Sequence, residues 1–292
     1  MSRRPKSGGR DGHHGKNDQD RARSGLGQHF LRDRGVTEWM VRRARVGPQD
    51  LVLDIGAGDG ALTVPLAARA GAVVAVECDP VLAERLRARA HTRPAITVVQ
   101  QDFLAWPLPQ GAFTAVANLP FTITTPVLRR LLDPRAPMAR AVLLIERGAA
   151  RRFTRCPASD PEIITWHTWF ALTWERHVSP SSFVPPPTVD AAAIVLERRP
   201  SPDLTPEWVD GYRAFLERAL ADPALPLKRA LLGIFTPAQL ARALHPLQLD
   251  REAPVSSVTP QSWGRLYLTM RQHASPRQWP RAARRRGQRG GP

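Results

Sequence analysis

Cysteine is nearly missing from this chain of 292 residues: only Cys78 and Cys156 occur. Two thiols without paired spacing exclude a disulfide framework, and no metal site is expected; both are read as reduced, structural residues. Long apolar runs are lacking as well. None approaches the length that crosses a bilayer, and the opening stretch MSRRPKSGGRDGHHGKNDQD has no apolar segment of a secretory signal. The expectation is a cytoplasmic protein with no membrane partner. Acidic residues are in deficit, 26 against 42 basic ones, which leaves a net charge of +16. The chain shows no internal repeat.

The basic excess is uneven. Residues 1–23 hold seven Arg and Lys against three Asp, and residues 271–292 hold seven Arg and no acid, so the two ends supply +11 of the +16. Segments this polar and rich in Gly, Pro and Arg bury too little surface to offset their ordering entropy, and are expected to be disordered. Their expected partner is a polyanion. Without an amphipathic anchor, nucleic acid suits them better than acidic lipid. Arginines scattered through the rest of the chain carry less weight, because Arg also accumulates in proteins coded at high GC content.

Between the ends, apolar runs alternate with helical patterns. Trp39, Met40 and Ala44 predict a short helix over 37–46. Strands are predicted at 51–56, 72–79, 96–102, 113–119 and 140–146, with helices over 60–70, 80–90 (opened by Pro80) and 126–132 between them. Continuously apolar strands separated by helices indicate a parallel sheet covered on both faces. The stretches 164–179 and 190–199 read as two further long strands. Residues 204–272 turn helical, with Thr205 placed to cap PEWVDGYRAFLERALAD. Four parts are therefore expected: a basic tail over 1–23, a catalytic α/β domain over 24–203, a small helical RNA-binding domain over 204–272 and an Arg-rich tail over 273–292.

The chemistry gathers at the ends of the predicted strands. DIGAGDG closes the first, and its Gly56, Gly58 and Gly60 allow the backbone to approach a ligand where doubly wound sheets bind nucleotides. The spacing is G-x-G-x-G, not the G-x-G-x-x-G of dinucleotide sites, which argues against NAD. Glu77, 21 residues after Gly56, stands where a carboxylate could accept both ribose hydroxyl hydrogens. Asp102 ends the third strand, placed to accept from an exocyclic adenine amine, with Phe103 beside it to flank the ring. These residues describe a cleft for an adenosine that lacks a pyrophosphate. At the end of the fourth strand stands Asn118-Leu119-Pro120-Phe121. A bare turn would explain Asn and Pro. A second reading is chemical: an adenine amine is a poor nucleophile because its lone pair is delocalised, so an enzyme alkylating it must hold the nitrogen between acceptors. The Asn118 side-chain oxygen and the Leu119 carbonyl, set by Pro120, could do so, while Phe121 stacks on a base drawn out of its loop.

The combination resembles the class I S-adenosylmethionine methyltransferases, and within them the rRNA adenine N6-methyltransferase family of the Erm and KsgA/Dim1 enzymes. The resemblance runs from about residue 24 to 199 and rests on SGLGQHFLRD, DIGAGDGALT, VECDP, QDFL, NLPF and SSFVPPPTVDAAAI. It implies a Rossmann-like, mostly parallel α/β domain with a small C-terminal helical domain, and S-adenosylmethionine as cofactor. Carried over residue by residue, Gln28, His29, Leu31, Gly56, Gly58, Glu77, Asp102, Phe103 and Asn118 would contact the cofactor, and Asn118 to Phe121 would face the target adenine. Where the family often has Tyr followed by Asn, this chain has Phe121 and Thr122, which keeps stacking and loses a phenolic hydrogen bond. LIERGAARRFT and the Arg-rich tails are closer to the Erm branch. The resemblance therefore implies a monomer that methylates one adenine of 23S rRNA, with resistance to macrolides, lincosamides and streptogramin B. A KsgA-like 16S rRNA dimethylase is the alternative within enzymes; a non-catalytic RNA-binding assembly or transcription factor is the alternative outside them. A DNA adenine methyltransferase fits less well, since no target-recognition insertion is visible.

Overall fold

The computed structural model describes residues 29–280. Gln28, the basic tail over 1–23 and residues 281–292 lie outside them.

A seven-stranded sheet organises the chain. Its strands are β2 (Leu51–Ile55), β3 (Ala72–Glu77), β4 (Ile96–Gln100), β5 (Phe113–Asn118), β6 (Met138–Glu146), β7 (Phe170–Val178) and β9 (Ala191–Arg198), in the spatial order β4-β3-β2-β5-β6-β9-β7. The first five in that order run parallel, and β9 is antiparallel to both β6 and β7. Alternate residues along one strand serve opposite cores: Leu53, Ala115, Leu143 and Ile145 pack on one face, Val52, Val116, Val142 and Leu144 on the other. Covering on both faces is why these strands are apolar at nearly every position rather than at every second one.

Helices α1 (Arg34–Ala44), α2 (Thr63–Ala67), α3 (Pro80–Ala90), α4 (Thr124–Leu131), α5 (Arg147–Thr154) and α6 (Pro161–Trp169) connect and flank these strands. Two are capped as their sequences suggest. Asp33 accepts from Val36 N at 3.1 Å, and Asp79 accepts from Val81 N at 2.8 Å ahead of Pro80. The N-cap at Asp33 starts α1 three residues before the predicted boundary.

The long strand expected over 164–179 is divided instead. Residues Pro161–Trp169 form α6, and only Phe170–Val178 form β7. Asp160 caps the helix by accepting from Glu162 N at 2.9 Å, with Pro161 at its first position. Every residue from Ile163 to Trp169 is buried, so the helix has no polar face and its sequence carries no 3.6-residue alternation. The helix α5 falls where no regular element was expected. A two-residue strand β1 (Phe30–Leu31) pairs antiparallel with β8 (Phe183–Val184), which ties the start of the described chain to the proline-rich loop.

Beyond residue 204, α7 (Val209–Ala219), α8 (Leu227–Ala230), α9 (Pro237–Leu244) and α10 (Pro260–His273) follow. The turn Pro206–Trp208 precedes α7, and Thr205 makes no side-chain capping bond there, contrary to expectation. These helices share an aromatic core with α6: Trp169 meets Tyr212 edge-on at 5.6 Å, Tyr212 meets Tyr267 at 5.3 Å, and Phe215 meets Trp263 at 5.9 Å. The start of the tail expected to be disordered is ordered instead, over 273–280: a turn spans Pro276–Gln278, and the Arg271 guanidinium lies 4.1 Å from the Trp208 ring and 5.2 Å from that of Trp279. The cysteines are free, but neither is buried, so the structural role expected of them is not met. No helix among the described residues is long and apolar enough to cross a membrane.

Candidate active site

The strand order reverses between β2 and β5, because β3 and β4 extend the sheet to one side of β2 and β5 and β6 to the other. Ligands of open α/β sheets bind outside the carboxyl ends of the strands at such a point. A cleft opens there, lined by Gly56 and Gly58 after β2, Glu77 at the end of β3, Asp102 after β4 and Asn118 at the end of β5.

The turn after β2 is built for close approach. Gly56, Gly58 and Gly60 have φ of +67°, +57° and +89°, a region that side chains disfavour. Gly56 N donates to Val76 O at 2.9 Å, which locks the turn against β3. A Cβ on Gly58 would stand 3.4 Å from the Phe30 ring, and one on Gly60 would stand 2.6 Å from Leu86 Cδ1. The first two glycines keep space in the cleft; the third lets the turn pack on α3.

Glu77 is buried, and its carboxylate is held at both oxygens. Gly58 N donates to Oε2 at 2.8 Å and Asp79 N to Oε1 at 2.9 Å. Each oxygen keeps a further lone pair, so a diol remains a possible donor to it. Asp102 accepts from Leu104 N at 2.9 Å through one oxygen. Phe103 lies largely inside the core, only 4% exposed, with the Arg130 guanidinium 5.1 Å from its ring centroid and its edge at the cleft wall.

At the opposite wall, Asn118 Nδ2 donates to His29 O at 2.7 Å. That bond commits the amide nitrogen to the protein and leaves the oxygen as the acceptor on the cleft side. The His29 ring is itself placed by a 2.8 Å hydrogen bond from Nδ1 to Pro185 O, and lies 6.0 Å from the Phe121 ring at a tilt of 35°. Leu31, Leu119, Pro120 and Phe121 complete this wall, with Leu119 N anchored to Leu144 O at 3.1 Å. Every residue expected to touch cofactor or target within 29–280 thus lies on one cleft, whereas Gly60, expected to open the turn to the ligand, packs on α3 instead.

Sequence reasoning passed over Asp54. It lines the cleft fully buried, accepts from Thr63 Oγ1 at 2.6 Å through Oδ2, and has no partner at Oδ1. Burial, with the nearby Glu77 carboxylate, pushes its carboxyl up to about 7. The available signal was an acid inside an apolar strand. Asp59 and Cys78 were passed over too; partial desolvation at the cleft wall and the Glu77 carboxylate push the Cys78 thiol up, away from a reactive thiolate.

The wall composition selects the ligand. Among the described residues, Asp54, Asp59, Glu77 and Asp102 line the cleft and no Lys or Arg does, although Asp59 is paired with Arg32 at 3.5 Å and Arg89 at 3.7 Å, in a chain that is otherwise strongly basic. A dinucleotide pyrophosphate would meet the Glu77 and Asp102 carboxylates, with no unpaired cation among the described residues of the wall. S-adenosylmethionine, a nucleoside with a cationic sulfonium and ammonium and no phosphate, matches the sign, and the cradle over Gly56 and Gly58 with the orphaned Asp54 Oδ1 fits a ligand of this kind.

Comparison with known proteins agrees with this geometry. The family model for ribosomal RNA adenine dimethylase matches residues 19–272. The rRNA adenine N-6-methyltransferase of Bacillus licheniformis is 34% identical over 261 residues, covering 89% of this chain and 91% of the relative. The ribosomal RNA small subunit methyltransferase A of Thermosynechococcus vestitus is 33% identical over 263 residues, covering 86% and 98%. Among solved structures, the 23S rRNA methyltransferase ErmE superposes with a TM-score of 0.74 at 29% identity, covering 83% of this chain and all of that one. The chain belongs to the ribosomal RNA adenine dimethylase family and has the class I fold of S-adenosylmethionine-dependent methyltransferases.

Proposed function

We propose that this enzyme methylates N6 of one adenine in 23S rRNA, as a cytoplasmic monomer, and so confers resistance to macrolides, lincosamides and streptogramin B. The observation that carries the chemistry is the Asn118 amide, whose nitrogen is taken by His29 O and whose oxygen is left for a donor in the cleft. The superposition on ErmE supports 23S over 16S rRNA. The match to a small subunit methyltransferase keeps a 16S adenine as the second reading.

Gln28, His29, Leu31, Gly56, Gly58, Glu77, Asp102, Phe103 and Asn118 would hold the cofactor, with Glu77 accepting from the ribose and Asp102 from the adenine amine. When bound, S-adenosylmethionine supplies an electrophilic methyl group on a positively charged sulfur. The protein's own task is positioning. Asn118 Oδ1 and the Leu119 carbonyl accept the two amine hydrogens of the target, which turns the nitrogen lone pair out of the ring plane, and Phe121 stacks on the extruded base. Neither acceptor is a strong base; the nitrogen, once alkylated, is cationic and strongly acidic, and releases one of its two protons to water. The catalytic domain spans 24–203 and the helical region 204–272 assists RNA binding; the Arg-rich tails add phosphate contacts that carry no sequence information.

The test is methyl transfer from labelled S-adenosylmethionine to protein-free 23S rRNA, 16S rRNA and small subunits, with the modified base mapped by primer extension. A single stop at an adenine of the 23S peptidyl-transferase loop is expected. Label confined to 16S rRNA or small subunits moves the enzyme to the second reading; no label in any RNA overturns both.

A further inference from the structure

Asp54 sits in the apolar strand β2 between Leu53 and Ile55, with Ala75 of β3 and Val116 of β5 beside it in the sheet. A carboxyl group is out of place among such neighbours, and only 1% of the residue is exposed. Its Oδ2 accepts from Thr63 Oγ1 at 2.6 Å, while Oδ1 is buried without a hydrogen-bond partner among the described residues. No cationic side chain offsets it. An ionised carboxylate so placed would lack both water and a counter-ion, which costs more than carrying a proton. Burial accordingly pushes this carboxyl up to about 7.

The groups around this carboxyl reinforce its neutral form. From β3, Glu77 accepts from Gly58 N and Asp79 N, one at each oxygen, as a charged carboxylate does, and its field disfavours a second negative charge at Asp54. The helix α2 brings only the Thr63 hydroxyl, whose hydrogen bond lowers the pKa without cancelling the effect of burial. From β5, Asn118 is neutral and its nitrogen is committed to His29 O, while the His29 ring is bonded to Pro185 O through Nδ1. Farther along the wall, Asp102 adds another carboxyl and Cys78 a thiol that is pushed up, and Asp59 is matched by Arg32 and Arg89, neither of which lines the cleft. Among the described residues, the site therefore lacks a positive charge for Asp54.

We propose that Asp54 is a charge sensor for the cofactor: neutral in the free enzyme, it releases its proton to solvent when the net positive charge of S-adenosylmethionine enters the cleft, and takes a proton back once methyl transfer has removed that charge. The exchange rests on the assignment of this cleft to S-adenosylmethionine. On binding, the O–H bond of the carboxyl breaks, the electron pair stays on the carboxylate and the proton goes to water; after the sulfonium has become a thioether, the reverse step restores the acid. S-adenosylmethionine and the spent S-adenosylhomocysteine share their nucleoside and amino acid, and differ in that only the first carries a net positive charge. A carboxylate in a desolvated cleft acts over several ångströms without touching its partner, so a sulfonium there is felt at Asp54. Asp54 thus favours cofactor over product, and its reprotonation aids product release.

The test uses the full chain and isothermal titration calorimetry with S-adenosylmethionine or S-adenosylhomocysteine, without RNA, at pH 6 and pH 8. Each titration is run in two buffers of different ionisation enthalpy, so that released protons are counted. With a carboxyl titrating at about 7, S-adenosylmethionine is expected to release about 0.9 of a proton at pH 6 and about 0.1 at pH 8, and its affinity to rise roughly tenfold between them. S-adenosylhomocysteine is expected to release less than about a third as much, and to gain less than about threefold in affinity. Asp54→Asn keeps the shape of the side chain and should abolish both the proton release and the pH dependence. If that variant does not fold, the wild-type proton counts for the two ligands decide. Release of less than about 0.3 of a proton by S-adenosylmethionine at pH 6, equal release by both ligands, or release retained in Asp54→Asn overturns the charge sensor. Binding of neither ligand overturns the cofactor assignment together with it.

Discussion

Asn118 and His29, 89 residues apart in sequence, are joined by one hydrogen bond of 2.7 Å from the Asn118 side-chain nitrogen to the His29 carbonyl. That bond decides which end of the amide faces the cleft, and so makes a donor-and-acceptor side chain into an acceptor for an incoming amine. Replacing Asn118 by Asp keeps shape but sets a carboxylate oxygen against the His29 carbonyl. Both Asn118→Asp and Asn118→Ala should lower kcat by about 100-fold or more, the usual scale for removing one positioned hydrogen bond at a reacting centre. Single-turnover methyl transfer at saturating RNA measures it; a kcat within threefold of wild type would remove Asn118 from the catalytic wall.

Phe121 stands beside the His29 ring and is half-buried, so its free face is available to a base. Stacking of a base on an aromatic ring contributes about 1–3 kcal/mol. Phe121→Ala should therefore raise the KM for RNA by roughly an order of magnitude, and Phe121→Tyr should leave it close to wild type. Steady-state kinetics on both variants checks this.

The glycine turn separates a packing role from a binding role. Gly60→Ala brings a Cβ within 2.6 Å of Leu86 Cδ1 at a φ of +89°, and should cost about 1–3 kcal/mol of stability, seen as a fall of several degrees in Tm. Gly58→Ala meets only the Phe30 ring at 3.4 Å. It should retain most of the Tm and weaken S-adenosylmethionine binding at least roughly tenfold, since its Cβ occupies the cradle. Differential scanning fluorimetry with calorimetric titration distinguishes the two.

Asp54 makes stability depend on pH in a direction opposite to that of most carboxylates. Its carboxyl titrates at about 7 in the folded protein, against about 3.9 in an unfolded chain. Between these values the unfolded state has lost the proton and the folded state retains it. The contribution is thus fully present below about pH 4, declines as pH rises towards 7, and is lost above that. Asp54→Asn cannot titrate and should flatten this part of the profile. Urea unfolding of both proteins at several pH values between 4 and 8 reads the difference, and parallel profiles would overturn the assignment.

Much of the cleft was legible because its parts are local signals repeated at one structural address. Gly56, Gly58, Glu77, Asp102 and Asn118 each follow an apolar strand, and parallel strands of one sheet bring their carboxyl ends together whatever the details between them. Illegible parts depended on contacts distant in sequence. The helix α6 was read as strand because a helix buried on every side has no polar face to betray its period.

From the sequence alone follow the parallel sheet, the glycine turn and the acids at its strand ends, because strand alternation and backbone sterics act over a few residues. Only the tertiary structure decided that Asn118 turns its oxygen to the cleft and that Asp54 is left with an unpaired oxygen. It also decided that the cleft is acidic in a basic protein. Orientation, desolvation and local charge are set by neighbours in space, and here those neighbours come from segments far apart along the chain.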